Sequence, residues 1–204
     1  MERVENAGHW HLRGRYILTT DFQTKQARHF DNMAGLYESH YSDKFSNLYR
    51  ERFINRPLLE GVDLKNKKVL ELMCGSGGIT RYLIEQKAIV TGLDISQELI
   101  NIFREKWSCD AMCASIFSNG IADGSFDCVV IVMGLHHLHP QANEAFEEIY
   151  RILKPGGYLC FCEPHGGSLP DVFRKLWYIA DKYFEDNEAA LDLKALKFHF
   201  AWHH

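Results

Sequence analysis

The segment Val69-Leu70-Glu71-Leu72-Met73-Cys74-Gly75-Ser76-Gly77-Gly78 decides the fold of this chain. Its apolar start reads as a buried strand, its centre as a turn of small residues, and Ile79, Tyr82 and Leu83 beyond it as one face of a helix. Glycines in such a turn let the backbone pass close against a ligand, and the helix that follows offers the N–H groups of its first turn. A turn of this kind, at the carboxyl end of a first parallel strand, is where open α/β sheets take nucleotide-like ligands.

The same texture continues downstream. Short apolar runs at Ala88 to Asp94, Ala111 to Ser115, Cys128 to Gly134 and Tyr158 to Cys162 alternate with helical periods, the mark of a parallel sheet flanked by helices. Leu99, Ile100, Phe103 and Trp107 form one helical face that starts after Ser96; Phe146, Ile149, Tyr150 and Leu153 form another, ended by Pro155-Gly156-Gly157. Upstream, the stretch to about Thr24 shows no period and is expected to be a loosely held arm. Two helical patterns follow, one with Phe30, Met33, Ala34, Tyr37 and Tyr41 on a face, the next with Phe45, Leu48, Tyr49 and Phe53. Thr24 and Ser42 are the expected N-caps, and Pro57 the stop of the second helix. Ser168 and Asp171 open a last long helix carrying Phe173, Leu176, Trp177, Ala180, Tyr183 and Phe184, with a further helical stretch at Leu191 to Leu196. The expected class is α/β, one doubly wound domain with a helical cap.

The composition agrees with an ordinary globular domain. The 204 residues are 46% hydrophobic and 25% charged with a net charge of -4, enough chain to bury a core without crosslinks. That balance argues against nucleic acid as a partner, which requires clustered Lys and Arg. No apolar run approaches the roughly twenty residues of a membrane span, and the first twenty residues contain no signal-like block. None of Cys74, Cys109, Cys113, Cys128, Cys160 and Cys162 stands in a two-residue metal or redox spacing, so no metal is expected and the thiols read as reduced, in a cytoplasmic protein.

Two ligand classes use a glycine turn of this geometry. A dinucleotide fingerprint needs glycine where Thr80 stands, and Glu71 would repel a pyrophosphate beside the loop. A ligand bearing a cationic amine and a sulfonium would be attracted. Asp94, at the end of the second strand, can accept both ribose hydroxyls. The charge argument favours S-adenosyl-L-methionine over NAD.

At this point the chain resembles the class I S-adenosylmethionine-dependent methyltransferases, especially the small-molecule branch that includes the ubiquinone and menaquinone methylases. The resemblance spans about Phe30 to Gly167. It rests on motifs in order: Leu70 to Gly77, Gly92-Leu93-Asp94-Ile95-Ser96, Asp123-Gly124-Ser125-Phe126-Asp127, Gly134-Leu135-His136-His137-Leu138 and Leu153-Lys154-Pro155-Gly156-Gly157. Phe30 to Tyr37 resembles the family's lid segment. The implied fold is a Rossmann-like, mostly parallel sheet with helices on both faces and an N-terminal helical lid. The implied division is 1–57 for arm and lid, 58–167 for the S-adenosylmethionine-binding core and 168–204 for a C-terminal helical segment.

The resemblance also implies roles. Glu71 and the backbone of Gly75, Ser76 and Gly77 would hold the methionine part, Asp94 the ribose, and Ile95 would lie against adenine, with Cys74, Met133 and Tyr37 completing the cofactor contacts. There are two departures. Met73 replaces the usual first glycine of the loop and narrows the space there. Ser115 and Ile116 stand where the family usually has an acid and an alanine beside adenine; Asp110-Ala111 mimics that pair but lies too early.

Methyl transfer at an activated sulfonium carbon needs mainly proximity, and a general base only where the acceptor must lose a proton. His136 and His137, after the fourth strand, are the candidate bases, although a histidine there can equally pack or cap; His139 before Pro140 reads as a turn residue. Tyr37 and Tyr41 can cover the ligand or simply pack as an aromatic stripe. Glu163 and His165 leave the fifth strand toward the cleft and are candidate substrate contacts, or parts of an exit loop without function. The fourth strand lacks an Asn/Asp-Pro-Pro turn and a Pro-Cys nucleophile, so the expected acceptor is a small organic molecule, methylated on a hydroxyl, amine, carbon or carboxylate. The family's last two strands have too little chain in Lys197 to His204, which leaves either a shortened protein or a sheet edge covered in a homodimer. A non-catalytic binding module and an NAD-dependent oxidoreductase stand as the alternatives.

Overall fold

The computed structural model describes residues 8–41 and 43–163, and within them the side chains of residues 22–39 and 43–163. The Ser42 cap, the long helix from Ser168, the stretch Leu191 to Leu196 and the closing segment Lys197 to His204 lie outside these residues.

Five strands, β1 (Lys68–Leu72), β2 (Ile89–Asp94), β3 (Asp110–Cys113), β4 (Phe126–Val132) and β5 (Leu153–Cys162), form one sheet in the order β3-β2-β1-β4-β5. Every pairing is parallel, with Glu71 opposite Gly92, Thr91 opposite Asp110 and Val129 opposite Leu159. The chain winds one way from β1 to β3 and the other way from β4 to β5, so the carboxyl ends of β1 and β4 flank a switch point where a ligand crevice opens.

Residues two apart on a strand share a face. Leu70 and Leu72 of β1 join Leu93, Val129, Ile131, Ile149 and Ile152 in one core. Val69 joins Val90, Cys128, Val130, Ile79 and Leu83 in the other. Most of these side chains are fully buried, each worth about 1.5–3 kcal/mol of transfer free energy. The helices follow from what they must cover. In α5 (Gln97–Lys106), Leu99, Ile100 and Phe103 are buried, and the Ser96 hydroxyl accepts the Leu99 N–H at 3.2 Å as the expected cap. α4 (Thr80–Glu85) is short and buries Thr80 and Leu83.

Several expectations are corrected. No loose arm precedes Thr24 in the described chain: α1 runs Gly8–Tyr41 and Thr24 lies inside it. No proline interrupts that stretch, so a helix propagates through it without an apolar period. The cap of α2 (Lys44–Arg50) is Asp43, whose carboxylate accepts the Phe45 and Ser46 N–H groups. Pro57 does not stop the helix; a π turn over Glu51–Asn55 shifts the bonding and α3 (Arg56–Leu58) carries the proline in its first turn, where its missing N–H costs little. In α6 (Ala142–Ile152) the buried stripe is Ala145, Ile149 and Ile152, which leaves Phe146 and Tyr150 exposed. Ala145 lets that helix approach the sheet, and the larger residues rotate outward. Pro155-Gly156-Gly157 lies within β5 as a bulge, between the pairs Phe126 with Leu153 and Cys128 with Tyr158.

Gly92 is a close-packing position: a Cβ there would stand 2.8 Å from Phe103 Cζ and 2.9 Å from Cys74 Sγ, with Phe103 fully buried and unable to retreat. Gly92→Ala is expected to cost about 1–3 kcal/mol, read as a lowered urea midpoint with an unchanged slope; an unmoved midpoint would show that the strand and α5 have room to separate.

Candidate active site

The turn after β1 places Met73, Gly75 and Gly77 in the left-handed region, at φ of 57°, 53° and 95°. These reversals bring the turn back against β2, where Cys74 N–H donates to the Leu93 carbonyl (3.1 Å) and Gly75 N–H to Asp94 Oδ2 (2.8 Å). The other Asp94 oxygen accepts the Ser96 N–H at 2.9 Å. Burial raises the Asp94 carboxyl above its ordinary range, and the amides of Ser96, Gly75 and Ile95 offset only part of that.

Glu71 shares the strand face of Val69 and therefore points toward α4. Its carboxylate accepts the Ile79 N–H (3.2 Å) and the Thr80 hydroxyl, at the first turn of that helix. Thr80, which reads in the sequence only as a missing glycine, thus orients the acid. Desolvation nevertheless dominates and pushes Glu71 up to about 7.

A cavity of about 650 Å³ opens over these carboxylates. Of the expected cofactor residues, Glu71, Cys74, Gly75, Ser76, Asp94, Ile95, Ser115, Ile116, Met133 and Tyr37 all line it, as do His136 and His137. Gly77 does not. A Cβ at Gly77 would fall 2.1 Å from Trp107 Nε1 and 2.6 Å from Thr80 Oγ1, so the glycine makes room for Trp107, whose indole N–H donates to the Ser76 carbonyl at 3.0 Å. Asp110 and Ala111 lie on β3 away from the cavity, while Ser115 Oγ accepts the Phe117 N–H at 3.2 Å. The Tyr41 side chain and His165 fall outside what the structure describes.

Glu163 braces the turn after β4. It is not part of the cavity wall: Oε1 accepts the N–H groups of Gly134 (2.7 Å) and Leu135 (2.6 Å), and Oε2 lies 2.6 Å from His136 Nδ1. Burial raises its carboxyl, but the bonds from His136 and Leu135 prevail and hold it below the ordinary glutamate range. His136 is tilted against His137 at 4.1 Å between ring centroids, and His137 meets Phe30 edge-on at 5.2 Å.

The N-terminal helices supply a wall through side chains beyond the Tyr37 named from the sequence. Gln23, Gln26 and Phe30 of α1 and Phe45, Tyr49 and Arg50 of α2 line the cavity, Arg50 being its only Lys or Arg among the described residues. Phe45 and Tyr49, four apart, were visible as a stripe; that the stripe faces a cavity and solvent rather than a core was not. Gln26 Nε2 donates to the His137 carbonyl (2.8 Å), and Asp31 Oδ1 accepts from Ser96 Oγ (2.6 Å) and Glu98 N–H (3.1 Å), which fixes α1 over the sheet.

Residues 70–161 match the family described as "Methyltransferase domain". The chain is 32% identical over 162 residues to a demethylmenaquinone methyltransferase of Lactobacillus johnsonii, covering 74% of this chain and 63% of that protein. Residues 70–161 carry a methyltransferase domain. This methyltransferase domain is also 33% identical over 116 residues to a malonyl-[acyl-carrier protein] O-methyltransferase of Enterobacter lignolyticus, covering 56% of this chain and 45% of that one. The chain therefore spans less than two thirds of either relative. Among solved structures, a SAM-dependent methyltransferase from Methanosarcina mazei superposes with a TM-score of 0.53 at 26% identity, over 58% of this chain and 62% of that one.

The buried Glu71 of the methyltransferase domain sets a pH dependence. Its folded pKa of about 7 lies above the ordinary 4.5, so between those values the unfolded chain has released a proton that the folded chain still holds. The stability linked to this group is full below pH 4.5, declines by about 3 kcal/mol as pH rises to 7, and is flat beyond. Urea unfolding of the native protein and Glu71→Gln at pH 4.5, 5.5 and 7 is expected to show the native protein losing stability relative to the variant across that window. A pH-independent difference would refute the assignment.

Proposed function

We propose that this protein transfers a methyl group from S-adenosylmethionine to a small organic acceptor. The observation that carries the reading is the pair of buried carboxylates, Glu71 and Asp94, flanking a glycine turn at the floor of one cavity. Two acids at that floor oppose a pyrophosphate and suit a ligand whose amine is cationic and whose ribose offers two hydroxyls. Glu71, close to half-ionised near neutrality, gains a full charge when an ammonium settles beside it.

The residues present fit the group. Glu71 with the backbone at Gly75 and Ser76 would hold the methionine part, and Asp94, with a lone pair left on each oxygen, the ribose. Ile95, Leu99, Ile116 and Phe117 supply an apolar slot for adenine, edged by the Ser115 hydroxyl and the Ile116 amide. Cys74, Met133 and Tyr37 form the remaining wall. Bound there, S-adenosylmethionine supplies a methyl carbon already activated by the adjacent sulfonium. The chain has to bind, align and shield it, and where the acceptor is protic His136 or His137 has to take a proton. The apolar and amide side chains of Phe30, Gln23, Gln26, Phe45 and Tyr49 favour an acceptor with an uncharged, partly aromatic or aliphatic body. Demethylmenaquinone, in the name of one relative, has such a body; the other relative is named for malonyl-[acyl-carrier protein].

Isothermal calorimetry tests the reading. S-adenosylhomocysteine is expected to bind in the roughly micromolar range, Glu71→Gln to weaken it about tenfold and Asp94→Ala to abolish detectable binding, with no heat from NADH. Binding of NADH in place of the homocysteine product would overturn it.

A further inference from the structure

We infer that the outer face of α2, and of the helical turns that continue it, is a docking surface for an anionic lipid bilayer, placed so that the mouth of the cavity opens against the lipid. The inference goes beyond the methyltransferase reading and does not depend on it.

The chain from Lys44 to Leu58 is one helical run, because α2 passes through the π turn into α3 with helical backbone at Arg50 and Asn55. Its inner side is fixed. Ile54 and Asn55 are buried, and Leu59 just beyond joins Val69 in the core. Four large apolar side chains are left outside: Phe45 is 80% exposed, Leu48 60%, Tyr49 59% and Phe53 61%. They stand three and four residues apart, the spacing of one helix face, and the Tyr49 and Phe53 rings touch with centroids 5.2 Å apart. Single exposed hydrophobic residues are ordinary, whereas a cluster of four on one short run marks a surface with a partner.

Charge identifies the partner. The chain as a whole is net -4, yet residues 44–56 carry Lys44, Arg50, Arg52 and Arg56 against one acid, Glu51. Arg50 lines the cavity, while Lys44, Arg52 and Arg56 are exposed. Glu51 is tied to Arg56 at 2.8 Å, and Asp43, ahead of the run, is turned onto the amides that it caps. The Arg52 guanidinium lies over the Phe53 ring, 5.7 Å from its centroid, so cation and ring occupy one level of the surface. Aromatic rings interleaved with long basic side chains suit the boundary between headgroups and acyl chains, where the rings sink and the cations reach phosphate. A second copy of the chain fits less well, because a two-fold contact centred on this face would bring like charges together.

The surface is continuous with the cavity. Phe45 and Tyr49 are exposed and also form part of its wall. A fluid bilayer can hold these rings and still let a molecule dissolved in the lipid reach the opening.

Co-sedimentation of the full chain with vesicles tests the surface. Vesicles of phosphatidylcholine with about a third phosphatidylglycerol are expected to bind the chain roughly tenfold more tightly than phosphatidylcholine alone, with the difference shrinking as salt rises. The double variant Leu48→Ser with Phe53→Ser, neither residue lining the cavity, should weaken binding to the anionic vesicles about tenfold or more. Arg52→Gln should weaken it severalfold and leave the weak binding to phosphatidylcholine unchanged. Both variants should keep the native urea midpoint and the native affinity for S-adenosylhomocysteine within about twofold. Native chain that ignores anionic vesicles, or variants that bind them as well as the native chain, would overturn the proposal. A lowered urea midpoint in the double variant would show the face packed under another part of the chain, and a native dimer that the double variant dissolves would assign it to a second copy; either outcome overturns the bilayer. A native chain that binds vesicles and not S-adenosylhomocysteine would overturn the methyltransferase reading and leave the docking surface standing.

Discussion

The carboxylate of Asp94 holds the site together. It lies at the carboxyl end of β2, almost buried, and accepts one backbone N–H from the turn after β1 and one from the start of α5. Neither donor has another way to be satisfied locally: Gly75 sits in a left-handed turn and Ser96 at a helix N-cap. The bonds are charge-assisted and stronger than neutral ones, which compensates part of the desolvation that raises the carboxyl. From Ser96 the chain of contacts continues outward, its hydroxyl donating to Asp31 on α1. One acid thus sets the glycine turn, the entry of α5 and, through that cap, the position of the helix above the cavity.

Among its described side chains, that helix meets the site largely through polar contacts. Besides Asp31, its described ties include Gln26 to the His137 carbonyl at 2.8 Å, Glu38 to Lys106 at 2.7 Å and the Phe30 ring edge-on to His137. Of its described side chains only Gln26 and Ala34 are buried. The adjoining α2 repeats the theme, with Phe45, Leu48, Tyr49 and Phe53 all exposed while Phe45 and Tyr49 also edge the cavity.

The sheet was legible because its central strands are buried on both faces and so appear as unbroken apolar runs, and the turn was legible because its glycines are consecutive with a strand and a helix. The Ser96 cap could be read for the same local reason. What failed was whatever depends on direction. A glycine does not announce which side must be empty, and Gly77 clears space for Trp107 while Gly75 faces the cavity. A carboxylate at a strand end does not announce what orients it: Glu71 accepts from Thr80, and Glu163 from two amides and lies against a histidine, partners that the sequence does not name. An amphipathic stripe does not say whether a core awaits it, and the aromatic face of α2 meets the cavity and solvent. Each of these requires a second segment, distant in sequence, to be placed first.

Met73 shows how such a distant partner changes the meaning of a residue. In the sequence it is a departure, a bulky side chain where a glycine is expected in the binding turn. The backbone still takes the left-handed conformation, φ 57°, which costs a non-glycine residue roughly 1–3 kcal/mol. The side chain finds its room across the sheet, at the turn after β4, where a Cβ on Gly134 would stand 2.9 Å from Met73 Sδ and 3.2 Å from Met73 Cβ. Gly134 is also the residue whose N–H is held by Glu163. The volume added to the first turn is thus matched by volume absent from the second, and Met73 joins the apolar core under both, which offsets the strain of its backbone. Met73 is thus accommodated in the turn. It couples the turn beneath the two carboxylates to the turn that carries His136, so that the two halves of the cavity floor are packed against each other and keep one relative position.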